Sequence, residues 1–203
     1  MLETGKSYAE QMVQVIKKEK RRNKIDYVHP SNDISNGYII VNYRKRNLER
    51  KKLMDGQLSM LLPEDWKLWK EELPWFYTYG SSEEKERMVL SIQDAKYTKS
   101  LDACIEEVNL EKTKKFSMIE KGSMVNSQGI EIEYRMVSDG KEIFSALFEC
   151  TIGIQKIQGN FLAHYYRRKV WRRVIPQILR QMLVYMADEK EEGNESLCSG
   201  KVL

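Results

Sequence analysis

Apolar and polar positions along the chain follow two periods. Residues 130–137, Ile-Glu-Ile-Glu-Tyr-Arg-Met-Val, alternate, which puts Ile130, Ile132, Tyr134 and Met136 on one face of a strand. Asp139-Gly140 then marks a tight turn, and residues 142–152 and 158–166 read as returning strands. Residues 87–94 alternate as well, with Met88, Leu90 and Ile92 on one face and Val89 on the other. Residues 38–43 are β-rich, Asp55-Gly56 sits between apolar flanks as a second hairpin signal, and Pro63 ends the strand after it. Short strand-like pieces are expected at 116–121 and 123–126 around Gly122, and residues 73–79 read as extended.

The helical period appears in three places. Leu101, Cys104, Ile105 and Val108 recur at helical spacing, with Lys112 and Phe116 as a continuation. Trp171, Val174, Ile175, Ile178, Met182, Tyr185 and Met186 share one side of a last helix. Pro176 requires that helix to start near Arg173 or to kink there. Residues 8–24 predict an N-terminal helix with Tyr8, Met12, Val13, Val15 and Ile16 on one side and a basic end. Residues 64–73 predict a short helical turn.

This order predicts an α+β fold: a mostly antiparallel sheet flanked by helices in a layered sandwich. The expected division is a basic helix and linker at 1–35, a sandwich domain at 36–187 and a fraying acidic tail at 188–203. At 203 residues with 41% hydrophobic positions, the chain is long enough to bury a sizeable core. It shows no 20-residue apolar run and no apolar stretch behind a basic start, so the expectation is a cytoplasmic protein without a membrane span.

The rare residues narrow the chemistry. Cys104, Cys150 and Cys198 are widely spaced and odd in number, which argues against a disulfide framework. The two histidines, His29 and His164, stand apart from any cysteine, so neither a zinc site nor a nucleophile–histidine pair is expected. There is no phosphate-binding glycine loop or nucleophile elbow. The expectation is no enzyme, no cofactor and no metal.

Two clusters remain. Trp66, Trp69, Trp75, Phe76, Tyr77 and Tyr79 form a dense aromatic block, the residue types that dominate protein-binding hot spots. The competing reading is that the block closes the core. Arg167, Arg168, Lys169, Arg172 and Arg173 form a patch for an anionic partner beside Tyr165 and Tyr166. Arg44, Lys45, Arg46, Arg50, Lys51 and Lys52 form another basic run. Cations at a helix start oppose its dipole, so a carboxylate such as Glu149, solvent or a partner must offset them. With a net charge of only +4, nucleic-acid binding is the alternative to protein binding.

The run Leu53-Met-Asp-Gly-Gln-Leu-Ser-Met-Leu-Leu-Pro-Glu-Asp-Trp resembles the opening of Mog1/PsbP-like domains, where a strand, a glycine turn and a second strand lead to Leu-Pro-x-x-Trp/Phe. The later element order and the Gly159-Asn160-Phe161 strand before a Trp-containing helix are similar too, over residues 38–186. The resemblance implies an α/β/α sandwich and a non-enzymatic binding or assembly factor. That superfamily includes Ran-binding Mog1, photosystem accessory PsbP and bacterial DcrB-like proteins, among them chaperones of secreted effectors that hold apolar helices in the groove of the sheet. It implies no catalytic residue, and it gives Asp55 to Trp66 the role of a turn and a hydrophobic plug. The expectation is an accessory protein binding another protein: a chaperone, adaptor or immunity protein linked to a secretion system.

Overall fold

The strand-forming segments pair into two antiparallel sheets. The structure is a computed structural model describing residues 33–41, 44–73, 75–81, 86–111 and 115–185. The expected helix at 8–24 and the acidic tail lie outside the described residues. The smaller sheet has the order β1-β2-β3-β11, from β1 (Tyr38–Val41), β2 (Arg44–Leu53), β3 (Leu58–Pro63) and β11 (Leu183–Val184). The larger has the order β4-β5-β6-β10-β9-β8-β7. Its strands are β4 (Lys67–Leu73), β5 (Phe76–Gly80), β6 (Arg87–Asp94), β7 (Ser117–Val125), β8 (Glu131–Ser138), β9 (Ile143–Ile152) and β10 (Gln155–His164).

Two helices complete the sandwich, α1 (Leu101–Glu111) between β6 and β7, and α2 (Arg168–Arg180) between β10 and β11. The inner face of the large sheet carries Tyr77, Tyr79, Met88, Leu90, Ile132, Met136, Phe144, Phe148 and Phe161, all buried. The small sheet and α2 cover it. Val170, Trp171, Val174, Ile175, Ile178 and Leu179 of α2 are all buried. Trp66 stacks on Phe161 with ring centroids 5.5 Å apart, and Trp171 sits 4.4 Å from the same ring. Gly159 makes room for this core. A Cβ there would stand 2.1 Å from the Phe148 ring.

Five expectations change. Residues 67–73 are a strand rather than a helical turn, because Phe76–Gly80 offers an antiparallel partner across Pro74. The pairing slips twice, between Leu68 and Lys70 and between Glu71 and Leu73, which hides the period of two. The pieces around Gly122 are one strand, irregular between Met118 and Glu120, since Gly122 packs against the Tyr134 ring. α1 stops at Glu111, short of Phe116, and the last helix stops at Arg180, so that Leu183 and Val184 can pair with β3. The last helix starts at Arg168 rather than near Arg173, with Pro176 inside it.

A buried carboxylate joins the layers. Glu86, with no exposed side-chain area, accepts hydrogen bonds from Arg46 of β2, from Arg167 Nη1 at 2.8 Å and from Trp171 Nε1 at 2.8 Å. At the start of α2 it is thus Glu86 that pairs with Arg167 and Glu120 that pairs with Arg172, while Glu149 pairs with Lys156. A second tie lies at the β2–β3 turn, where Met54 and Asp55 have φ of 53° and 55°, in the left-handed region. Tyr79 Oη accepts from the Met54 N–H at 2.9 Å, and Tyr77 Oη donates to Asp55 at 2.9 Å, holding the turn to the large sheet.

Candidate functional site

The strand period that fills the inner face gives the large sheet a second face, and α1 covers part of it. α1 packs over β8 and β9. Leu101 is buried, while Cys104, Ile105 and Val108 on the same side are only half-buried. Beneath and beside them lies a groove of about 380 Å³. Its floor is Phe76 of β5, Val89 and Ser91 of β6, Gln158, Asn160 and Leu162 of β10, Ile143, Ser145 and Leu147 of β9, and Val137 of β8. Phe76, Val89, Leu147 and Leu162 are half-buried, in contrast to their inner-face neighbours Tyr77, Leu90, Phe148 and Phe161.

Polar groups fix the groove's shape. Ser145 Oγ donates to Asn160 Oδ1 at 2.6 Å, and Gln158 Nε2 donates to the Lys99 carbonyl and to Glu149. Asn109 anchors Phe116 at one end. Its Oδ1 accepts from the Phe116 N–H at 2.6 Å, and its Nδ2 donates to the Phe116 carbonyl. Asp102 accepts from Arg135 at 2.9 Å and from Lys121 at 3.2 Å, which ties the start of α1 to β8 and β7. The Arg135 hydrogen bond holds the Asp102 carboxyl below its ordinary value. Burial, with Glu107 and Glu149 nearby, pushes the Cys104 thiol up. Burial pushes Cys150, on the opposite face of the sheet, up to about 12.

The two helices are oppositely charged. α1 carries Asp102, Glu106, Glu107 and Glu111 and no cation. α2 carries Arg168, Lys169, Arg172, Arg173 and Arg180 and no carboxylate. Cations from neighbouring elements answer part of the α1 charge, Lys99 on Glu107 and Arg135 and Lys121 on Asp102.

The aromatic block is split by the strand period. Trp66 is a core residue, 1% exposed, and Tyr77 and Tyr79 are buried with their hydroxyls on the β2–β3 turn. Trp69 and Trp75, 47% and 42% exposed, stand on the β4–β5 hairpin, and Phe76 lines the groove. The block is therefore three residues of core and three at or near the open surface. The basic patch also divides. Arg167 is buried on Glu86, Arg172 pairs with Glu120, and the Arg168 guanidinium lies 3.9 Å from the Tyr165 ring centroid. Lys169 and Arg173 are exposed on α2. Of the two histidines, His164 stacks on Tyr166, and His29 lies outside the described residues. Among the described residues, no cluster of three His, Cys, Asp or Glu is placed to hold a metal, and no helix is long and apolar enough to cross a membrane.

The architecture is matched among solved structures. The chain is similar to cyanobacterial PsbP (CyanoP) from Synechocystis sp. PCC 6803, with a TM-score of 0.53 and 14% identity over 68% of this chain and 92% of that one. A crystal structure from Bacteroides thetaiotaomicron VPI-5482 matches at a TM-score of 0.42 and 14% identity, over 70% of this chain and 50% of that one. PA94 of Pseudomonas aeruginosa, described as a protein of unknown function and putative regulator, matches at 0.41 and 9% identity, over 68% and 97%. No family model and no curated protein sequence matches the chain. The fold is therefore an α+β sandwich like that of PsbP.

Proposed function

We propose that this protein is a non-enzymatic accessory factor that holds an apolar helical segment of another protein in the groove beside α1. The observation that carries the reading is the unequal covering of the large sheet. Its inner face is sealed, while Phe76, Val89, Leu147 and Leu162 on the outer face keep part of their surface open. A helix laid along α1 would complete that layer as α2 completes the other. Trp69 and Trp75, exposed on the β4–β5 hairpin that supplies Phe76 to the groove, offer aromatic anchors of the kind that dominate binding energy. The PsbP-like fold agrees with a binding role. In concrete terms the protein is a chaperone or adaptor for a client with an exposed apolar helix. Free thiols at Cys104 and Cys150 support action in a reducing compartment such as the cytoplasm.

The test is recovery of bound protein by the tagged full chain, with nuclease present and at two salt concentrations. The wild type is compared with Leu162→Asp and with Trp69→Ala. Loss of one dominant partner in Leu162→Asp, with unchanged thermal unfolding, is the expected result. Equal recovery by Leu162→Asp, Trp69→Ala and the wild type, or material released by nuclease, would sink the reading.

A further inference from the structure

The register of the large sheet draws two diagonals across the groove floor. Phe76 of β5 pairs with Ser91 of β6, and Val89 of β6 pairs with Asn160 of β10. Arg87 of β6 pairs with Gly80 on one side and Leu162 on the other, and Leu162 pairs with Ser145 of β9. Antiparallel partners share a face, as do residues two apart along a strand. Phe76, Val89 and Leu162 are thus each one strand over and two residues along from the last, and together they make an apolar diagonal. Ser91, Asn160 and Ser145 make a polar diagonal beside it.

The two flanks of the apolar line differ. On the side of β9, Ser145 donates to Asn160 Oδ1, and Asn160 Nδ2 has no partner among the described residues, so this flank offers an amide and hydroxyls. On the other side stands Arg87, exposed, lining the groove and paired with no carboxylate among the described residues. Its β5 neighbour Gly80 adds no side chain beside it. We propose that the groove selects an acidic-flanked amphipathic helix, which lies diagonally over β5, β6 and β10 with its apolar stripe on Phe76, Val89 and Leu162 and a carboxylate on Arg87. This deepens the helix-binding reading and rests on it. From Phe76 to Leu162 the line spans two strand spacings and four residues, about 17 Å at roughly 35° to the strands. Three turns of helix cover that distance. The uncharged flank then faces Asn160, and the carboxylate fixes which way the client runs.

The probes are three synthetic alanine-based helices of about 18 residues, long enough to cover the line. All carry the same leucine stripe, flanked on one side by Glu, Gln or Lys. Each is labelled with fluorescein and titrated with the full chain at low salt, and binding is read by anisotropy. The Glu probe should bind about three- to fivefold more tightly than the Gln probe, and the Lys probe most weakly. Arg87→Gln should erase the difference between Glu and Gln, and Arg87→Glu should favour the Lys probe. Lys169→Glu, on α2, should leave the order unchanged, and Leu162→Asp should weaken all three. Equal binding of the three probes, or a Glu preference that survives both Arg87 substitutions, overturns the selection. If Leu162→Asp still weakens the probes in that case, the groove remains a helix site and only the acidic client falls. Binding that Leu162→Asp leaves unchanged, or no binding by any probe, sinks both ideas. A preference removed by Lys169→Glu and not by Arg87→Gln places the probe on α2 and has the same consequence.

Discussion

α1 and α2 lie on opposite faces of one sheet and do different work there. α2 buries six apolar side chains, is flanked by the small sheet and is tied in by Trp171 and Glu86. α1 buries Leu101 fully and leaves Cys104, Ile105 and Val108 half-covered over a groove. Packing of native density resists any loss of volume, whereas a half-covered face can accept another element. The contrast separates a sealed face from one that stays partly open.

The sharpest way to break the comparison is to cut into the sealed face. Trp171→Ala or Phe161→Ala should cost about 3–5 kcal/mol in urea unfolding. Glu86→Ala removes the buried carboxylate shared by Arg46, Arg167 and Trp171 and should cost about 3–5 kcal/mol; a loss below about 1 kcal/mol would show that the layers are not tied there. Gly159→Ala drives a methyl into the Phe148 ring and should lower stability by about 1–3 kcal/mol, read as a shifted melting temperature. Leu162→Asp, next to Phe161 on β10 but on the open face, should change stability by about 1 kcal/mol or less while, on the proposed function, lowering recovery of a partner.

The smallest effect concerns Asp102. Its carboxyl titrates below its ordinary value in the folded state, so the stability it lends is complete above the usual carboxylate range. That stability is lost as pH falls through the depressed value. The group is largely exposed, so the contribution is at most about 1 kcal/mol. Asp102→Asn should flatten the acid limb of a stability-against-pH curve and leave pH 7 unfolding little changed.

The hairpins at Asp55-Gly56 and Asp139-Gly140, the alternating strands and the apolar sides of both helices were legible in the sequence, and with them the sandwich. Strand β4 was not. Lys-Leu-Trp-Lys-Glu-Glu-Leu has no period of two, and its conformation comes from β5 and two slips in register. The groove was hidden for a related reason. Alternation assigns Val89 and Leu90 to opposite faces, yet which face stays open depends on where an 11-residue helix comes to rest. Within the aromatic block, Tyr77 and Tyr79 share a parity and point inward, while Phe76 takes the other. The pattern was present in the sequence, but no local feature says which parity is buried. Glu86 sits in a polar break, and only the tertiary fold brings Arg46 and Arg167 to it.

The smaller sheet is closed by Leu183 and Val184, more than a hundred residues after its first three strands. During synthesis, then, β1 to β3 emerge long before their fourth strand and before the helix that covers the large sheet. Until residue 180 has left the ribosome, Phe144, Phe148 and Phe161 have no complete α2 to bury them. The nascent chain thus carries its largest sticky surface at the moment it is least able to hide it. A chain stopped after His164 should be made at a normal rate and be recovered mainly in aggregates.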